Sequence, residues 1–125
     1  MLDDSAPLFF QIAEGLCREI AGGALAEGER APSSNELAAH YRINPATAAK
    51  GLNMLIDDGL LEKRRGIGMF VAAGARERLL EGRRRRFAQR YVAPLVAEAA
   101  RLGIDDDALL AMVREARRAQ AGVRS

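Results

Sequence analysis

Two helix-start signals stand close together in the first half of this chain, and they leave little freedom for what lies between them. Ser33, with Glu36 three residues on, reads as a capping box. The hydroxyl takes the N–H at Glu36 and the carboxylate returns to the N–H of Ser33. Asn44 before Pro45 reads as a second start, with the amide as cap and Pro in the first helical position. The spacing predicts a helix over 34–41 that buries Leu37 and Ala38. It predicts a turn at Arg42-Ile43-Asn44, with Ile43 as its apolar plug, and a helix over 45–58 stopped by Gly59. That second helix carries Ala48, Leu52, Leu55 and Ile56 on one face. Two short helices joined this tightly form a helix-turn-helix.

The flanks extend the pattern. Residues 1–6 read as a disordered lead-in. Pro7 opens a helix whose apolar residues Leu8, Ile12, Leu16 and Ile20 recur at helical spacing, and Gly22-Gly23 ends it. Glu29 to Ala31 has the character of a very short strand. Leu60–Arg64, a tight turn at Arg65-Gly66-Ile67-Gly68 and Met69–Ala72 read as a hairpin. Gly74 is the expected joint. Beyond it, Arg76 to about Leu102 is one long helical pattern that Pro94 should kink or divide. Gly103 is a C-cap, and Asp105 caps a last helix that frays after Arg118. The expected fold is α+β and mostly α. It consists of a winged helix-turn-helix over 7–74 followed by a two-helix dimerisation segment over 75–125.

Composition narrows the function. No apolar run approaches the roughly 20 residues that span a bilayer, and no basic-then-apolar leader opens the chain, so no membrane partner is expected. The single Cys17 lies beside Leu16 and Ile20 and is expected in the core, reduced, in a cytoplasmic protein. The lone His40 sits at a helix end and reads as a cap. No His, Cys or carboxylate cluster, phosphate loop or nucleophile motif is present, so no catalytic residue, metal site or cofactor is expected and the chain reads as no enzyme. Residues 1–74 carry ten acidic and seven basic side chains, and 75–125 carry seven acidic and twelve basic. Any nucleic-acid site in the first part must therefore be a local patch. Lys63-Arg64-Arg65-Gly66 at the hairpin tip supplies one. The helix over 45–58 is the right size for a major groove, with its first residues at base edges.

At this point the residues resemble a known family. Pro32-Ser33-x-x-Glu36-Leu37-Ala38, Ile43-Asn44-Pro45-x-Thr47, Leu52-x-x-Leu55, Gly59-Leu60 and Arg65-Gly66-x-Gly68-x-Phe70-Val71 are similar to the GntR family of bacterial regulators. The Ile-Asn-Pro turn and the short helical tail resemble its YtrA subfamily. The resemblance implies a homodimeric repressor of a bacterial operon, often one for a transporter, bound to an inverted repeat. It implies DNA contacts at Ser33, Asn44, Thr47, Lys50, Arg65 and Gly66. Pro45, Ala46, Lys63 and Arg64 complete the expected surface with Asn35. Two positions depart from the family: Asn35 where Arg is usual, and Ala46 where Asn is usual. Both reduce the charge or polarity offered to DNA, so a modest salt dependence is expected.

The tail has too few residues to close a core alone. Leu80, Phe87, Tyr91, Leu95 and Leu102, with Leu109, Met112 and Val113 on the last helix, are the expected dimer interface. Such a tail leaves room for a small-molecule effector only between subunits or between the tail and the winged domain. Arg83 to Arg86 point all round their helix and cannot form one face. The alternative to a DNA-binding regulator is a winged-helix module for protein contacts.

Overall fold

The computed structural model describes residues 4–124, so part of the expected lead-in falls outside the described residues. Contacts divide the chain into two compact units, Met1–Gly82 and Arg83–Ser125. The first contains α1 (Leu8–Ala21), α2 (Ser34–Tyr41), α3 (Pro45–Asp57), strands β1 (Leu61–Arg64) and β2 (Gly68–Val71), and the start of α4 (Ala75–Phe87).

Its core is the crossing of α1 and α3. The apolar repeat of α1 buries Ile12, Ala13, Leu16 and Ile20, and α3 buries Ala48, Gly51, Leu52 and Leu55. Ile20, Leu52 and Leu55 are fully enclosed, each stabilising the unit by about 1.5–3 kcal/mol through lost apolar exposure. Gly51 sets the distance of the crossing. A Cβ at this position would lie 2.7 Å from the Phe9 carbonyl oxygen and 3.2 Å from Ile12 Cβ. The two backbones approach closely because this residue has no side chain.

Helix ends follow the sequence signals. Ser33 and Glu36 form the full capping box, and the Asn44 side chain accepts from the Ala46 N–H at 2.8 Å. After α3, the Leu60 N–H donates to Leu55 O and the Gly59 N–H to Ile56 O, with Gly59 at φ +74°. That is a Schellman closure, and it throws the chain directly into the hairpin. α2 closes in the same way, with the Ile43 N–H on Ala38 O, but the left-handed position is taken by Arg42 at φ +57°. A side chain there costs roughly 1–2 kcal/mol that glycine would avoid.

The hairpin pairs Leu61 with Val71 through Arg64 with Gly68. Its turn is therefore the three residues Arg65-Gly66-Ile67, and Gly68 opens β2 instead of closing the turn. The short strand expected at Glu29–Ala31 reduces to a bridge between Arg30 and Phe70, with the Val71 N–H on Glu29 O and the Ala31 N–H on Met69 O. Cys17 is half-buried against the core rather than within it. His40 lies exposed in the last turn of α2, edge-on to Tyr41.

The first unit also extends past Gly74, the expected joint, into α4. Ala75 is fully buried and Leu79 packs on the same core. Arg76 Nε donates to Ala21 O at the end of α1, and the Arg78 guanidinium donates to Asp58 O and Gly59 O at the end of α3. Guanidinium groups at helix C-termini satisfy spare carbonyls and complement the dipole. These nonlocal bonds carry the compact unit to Gly82.

The second unit holds the end of α4, a π-helical turn over Ala88–Val92, α5 (Ala93–Arg101) and α6 (Asp106–Arg124). Pro94 divides the helical pattern as expected, since α4 stops at Phe87 and α5 starts at Ala93 with Pro94 in its first turn. It has no N–H and would clash with the carbonyl four residues before it, and the chain widens into the π turn, with the Ala93 N–H reaching back to Ala88 O. Gly103 and Asp105 sit where expected, with a Schellman closure at Gly103 and the Ala108 N–H on Asp105 Oδ1. α6 does not fray after Arg118 but stays helical to Arg124. Among the described residues of this unit Ala99 alone is buried.

Gly51→Ala is expected to lower the stability of the first unit by about 1–3 kcal/mol through overpacking. Thermal unfolding should show a fall of about 4–8 °C per kcal/mol for a unit of this size.

Candidate nucleic-acid interface

The start of α2 and the hairpin tip enclose a cleft of about 320 Å³. Arg30, Ser33 and Ser34 line one side, and Lys63, Arg64 and Gly66 line the other. The sequence signals bring this about locally. The capping box fixes Ser33 at the helix start, and the hairpin register holds Lys63 and Arg64 in β1, with Glu62, Lys63 and Arg64 all exposed. An N-terminal helical turn presents backbone N–H groups and the positive end of its dipole, to which the three cations add.

Arg30 did not figure among the expected site residues. Its place follows from the bridge to Phe70, and its Nε would lie 2.9 Å from a Cβ on Gly68. The arginine thus lies over a glycine that also holds φ +139°. Its guanidinium stands 3.4 Å from Glu36, with both groups exposed. The Ser33 backbone N–H donates to Glu36 Oε1 at 2.9 Å and is the main cause that holds the Glu36 carboxyl below the usual carboxylate range. The Ser33 side chain and, more weakly, Arg30 act in the same direction.

The other expected residues are exposed or nearly so. Asn35 is exposed beside the cleft residues in sequence but does not line it, and Arg65 is exposed on the hairpin turn. Asn44, Pro45 and Ala46 are exposed on the first turn of α3, with Thr47 half-buried behind them. Asn44 Oδ1 accepts from the Ala46 N–H, which leaves both amide donors and one acceptor lone pair for a ligand. Lys50, one turn further, holds its Nζ 4.0 Å from the centroid of the Phe9 ring on α1. Arg64 stacks likewise on Phe70 at 4.2 Å. Both cations are steadied by an aromatic ring at small cost to their reach. The Phe9 ring was not legible as part of the site, because its contact joins residues 41 positions apart, and the Arg64–Phe70 stack depends on the hairpin register.

Among the described residues, no group of three or more His, Cys, Asp and Glu side chains could hold a metal ion, and no helix is long and apolar enough to cross a membrane.

Three helices in this order, a hairpin with a basic turn and a minimal third strand against it define a winged helix-turn-helix. Residues 10–71 match the family described as bacterial regulatory proteins, gntR family. A Bacteroides thetaiotaomicron protein assigned to that family is 30% identical, with 90% of this chain and 98% of that one covered and a TM-score of 0.67. The chain belongs to the GntR family. It is also similar to the transcriptional repressor YtrA of Bacillus subtilis (strain 168), 32% identical over 79 residues, which are 63% of this chain and 61% of that protein. The structure of AraR(DBD) in complex with operator ORR3 is 28% identical, covers 58% of this chain and 87% of that one, and has a TM-score of 0.53. The chain spans between 30% and 61% of the length of the first curated relatives it matches.

A group whose carboxylate form is favoured by folding stabilises the protein above the ordinary carboxylate range, and that contribution disappears as pH falls through its lowered folded-state value. Glu36→Gln is therefore expected to unfold at a lower temperature than the parent at neutral pH. The two melting temperatures should converge as pH drops below about 4. Curves that stay parallel well below pH 4, or no difference between the two at neutral pH, would remove the carboxylate from the cap.

Proposed function

We propose that the chain is a sequence-specific regulator that binds double-stranded DNA as a homodimer and represses a bacterial operon from an inverted-repeat operator. The observation that carries the DNA reading is the cleft that unites the start of α2 with Arg30, Lys63 and Arg64. A phosphate group matches its chemistry: a helix N-terminus, two serines and three cations. With the flanking backbone gripped there, Asn44, Ala46, Thr47 and Lys50 on the N-terminal half of α3 read base edges. Ala46 offers an apolar contact, suited to a thymine methyl, and Asn44 offers donors. The complex of AraR(DBD) with its operator supports this use of the fold. The repressor role rests on likeness to YtrA. The cytoplasm is the compartment where such a protein meets its operator.

Dimerisation is supported by the second unit. Phe87, Tyr91, Leu95, Leu102 and Met112 are 58%, 56%, 44%, 66% and 55% exposed. Val113 is 38% exposed, Leu109 is partly buried, and Leu80 is half-buried in the first unit. So many large apolar groups on so small a unit call for a partner surface. A two-fold pair of readers then matches a two-fold operator.

Fragments from upstream of the chain's own gene, titrated in a gel-shift assay, test the proposal. Specific retardation is expected, and absence of binding to any fragment at low salt would favour the protein-contact module instead. Lys50→Ala and Arg65→Ala should each weaken binding about tenfold with unchanged melting temperature. Arg65→Ala should also reduce the salt slope by about one per protomer. Phe87→Asp should give a monomer by sedimentation, folded to the same helix content, with reduced operator affinity.

A further inference from the structure

α6 is the longest helix of the second unit, with 19 residues, and it makes no extensive contact with another element, only Leu95 of α5 bordering its apolar side. Most of the stability of a helix in a protein comes from packing its amphipathic face. Its apolar stripe runs through Leu109, Met112, Val113 and Ala116 at helical spacing, bordered by Gln120, with Leu95 of α5 at its edge. An amphipathic helix with that stripe uncovered has an unsatisfied face.

The charges on either side of the stripe say what covers it. Asp106 and Arg117 are eleven residues apart, close to three full turns, so both lie on the same flank. The other flank carries Ala108, Glu115 and Ala119, and Glu115 is already paired with Arg118 at 2.6 Å. Among the described residues neither Asp106 nor Arg117 has an ion pair within its own chain. When two copies of one helix pair antiparallel, like flank meets like flank. When they pair parallel, each flank meets the opposite one, and Asp106 of one copy stands level with Asp106 of the other.

We propose that two copies of the chain pair through α6 in antiparallel register, with Asp106 of each beside the partner's Arg117. This arrangement rests on the dimer reading above and gives it a register. It places the two-fold axis between Ala111 and Met112. The stripes of the two helices then cover one another, the acidic start at Asp105-Asp106-Asp107 lies along the partner's basic half, and the two helix dipoles oppose. A parallel pair would bring Arg117 near the partner's Glu115, but it would stack the two acidic starts on one another and align the helix dipoles.

The test uses the full chain in sedimentation equilibrium. Asp106→Arg and Arg117→Asp are each expected to weaken the dimer about tenfold, and the double variant to return to within about threefold of the parent. In a Cys17→Ser background, Met112→Cys should cross-link under mild oxidation, because the residue meets its own copy near the axis, and Gln120→Cys should not. Failure of the double variant to recover, or Gln120→Cys cross-linking as fully as Met112→Cys, would overturn the antiparallel register while leaving a dimer. A parent chain that stays monomeric at tens of micromolar would instead remove the dimer reading itself.

Discussion

The close approach of α1 and α3 at Gly51 governs the winged unit. A side chain at that point would meet the Phe9 carbonyl and Ile12, so the depth of the crossing is set by the absence of one atom. Several features of the surface follow from it. Ala48, Leu52 and Leu55 reach Ile12, Leu16 and Ile20 only at this separation. α3 in turn fixes where its first turn emerges, and the crossing sets the Phe9 ring close enough to α3 for Lys50 to rest on it. The chain's reading surface is thus held from behind by a contact between two backbones, which tolerates less variation than a contact between flexible side chains.

Much of this was legible in the sequence because its causes are local. Ser33 with Glu36, Asn44 with Pro45, and Gly59 after an apolar face each specify a helix end within a few residues, and the bonds form as those patterns require. The illegible parts depend on partners distant in the chain. Arg30 joins the cleft only because the strand bridge brings it to Phe70. The reach of the first unit past Gly74 depends on Arg76 and Arg78 finding carbonyls at the ends of α1 and α3. Phe9 is indistinguishable by periodicity from an ordinary core residue, and its role is visible only through Lys50. The pattern predicts a turn through Gly68 where the register ends it at Ile67, since either Gly66 or Gly68 suits a turn and only the cross-strand pairing separates them.

One departure from the family pattern, Asn35, gains meaning from the geometry. Asn35 brings no charge to the start of α2, yet Arg30, Lys63 and Arg64 already supply three cations to the cleft beside it. The positive potential there comes from the strand and the wing as much as from the helix, so the loss at position 35 removes a directional contact more than it removes field.

The π turn at Ala88–Val92 has a geometric consequence for any surface built along this stretch. A helix that takes one extra residue in a turn shifts the phase of everything after it by about 100° relative to an unbroken α-helix. Phe87 lies before that offset and Leu95 after it. The faces on the two sides of the turn therefore cannot be read from one helical wheel. A single deletion inside the turn would therefore let it close into ordinary α-helix with α5 keeping its facing relative to Phe87, whereas the same deletion within α5 itself would turn every later residue by about 100°.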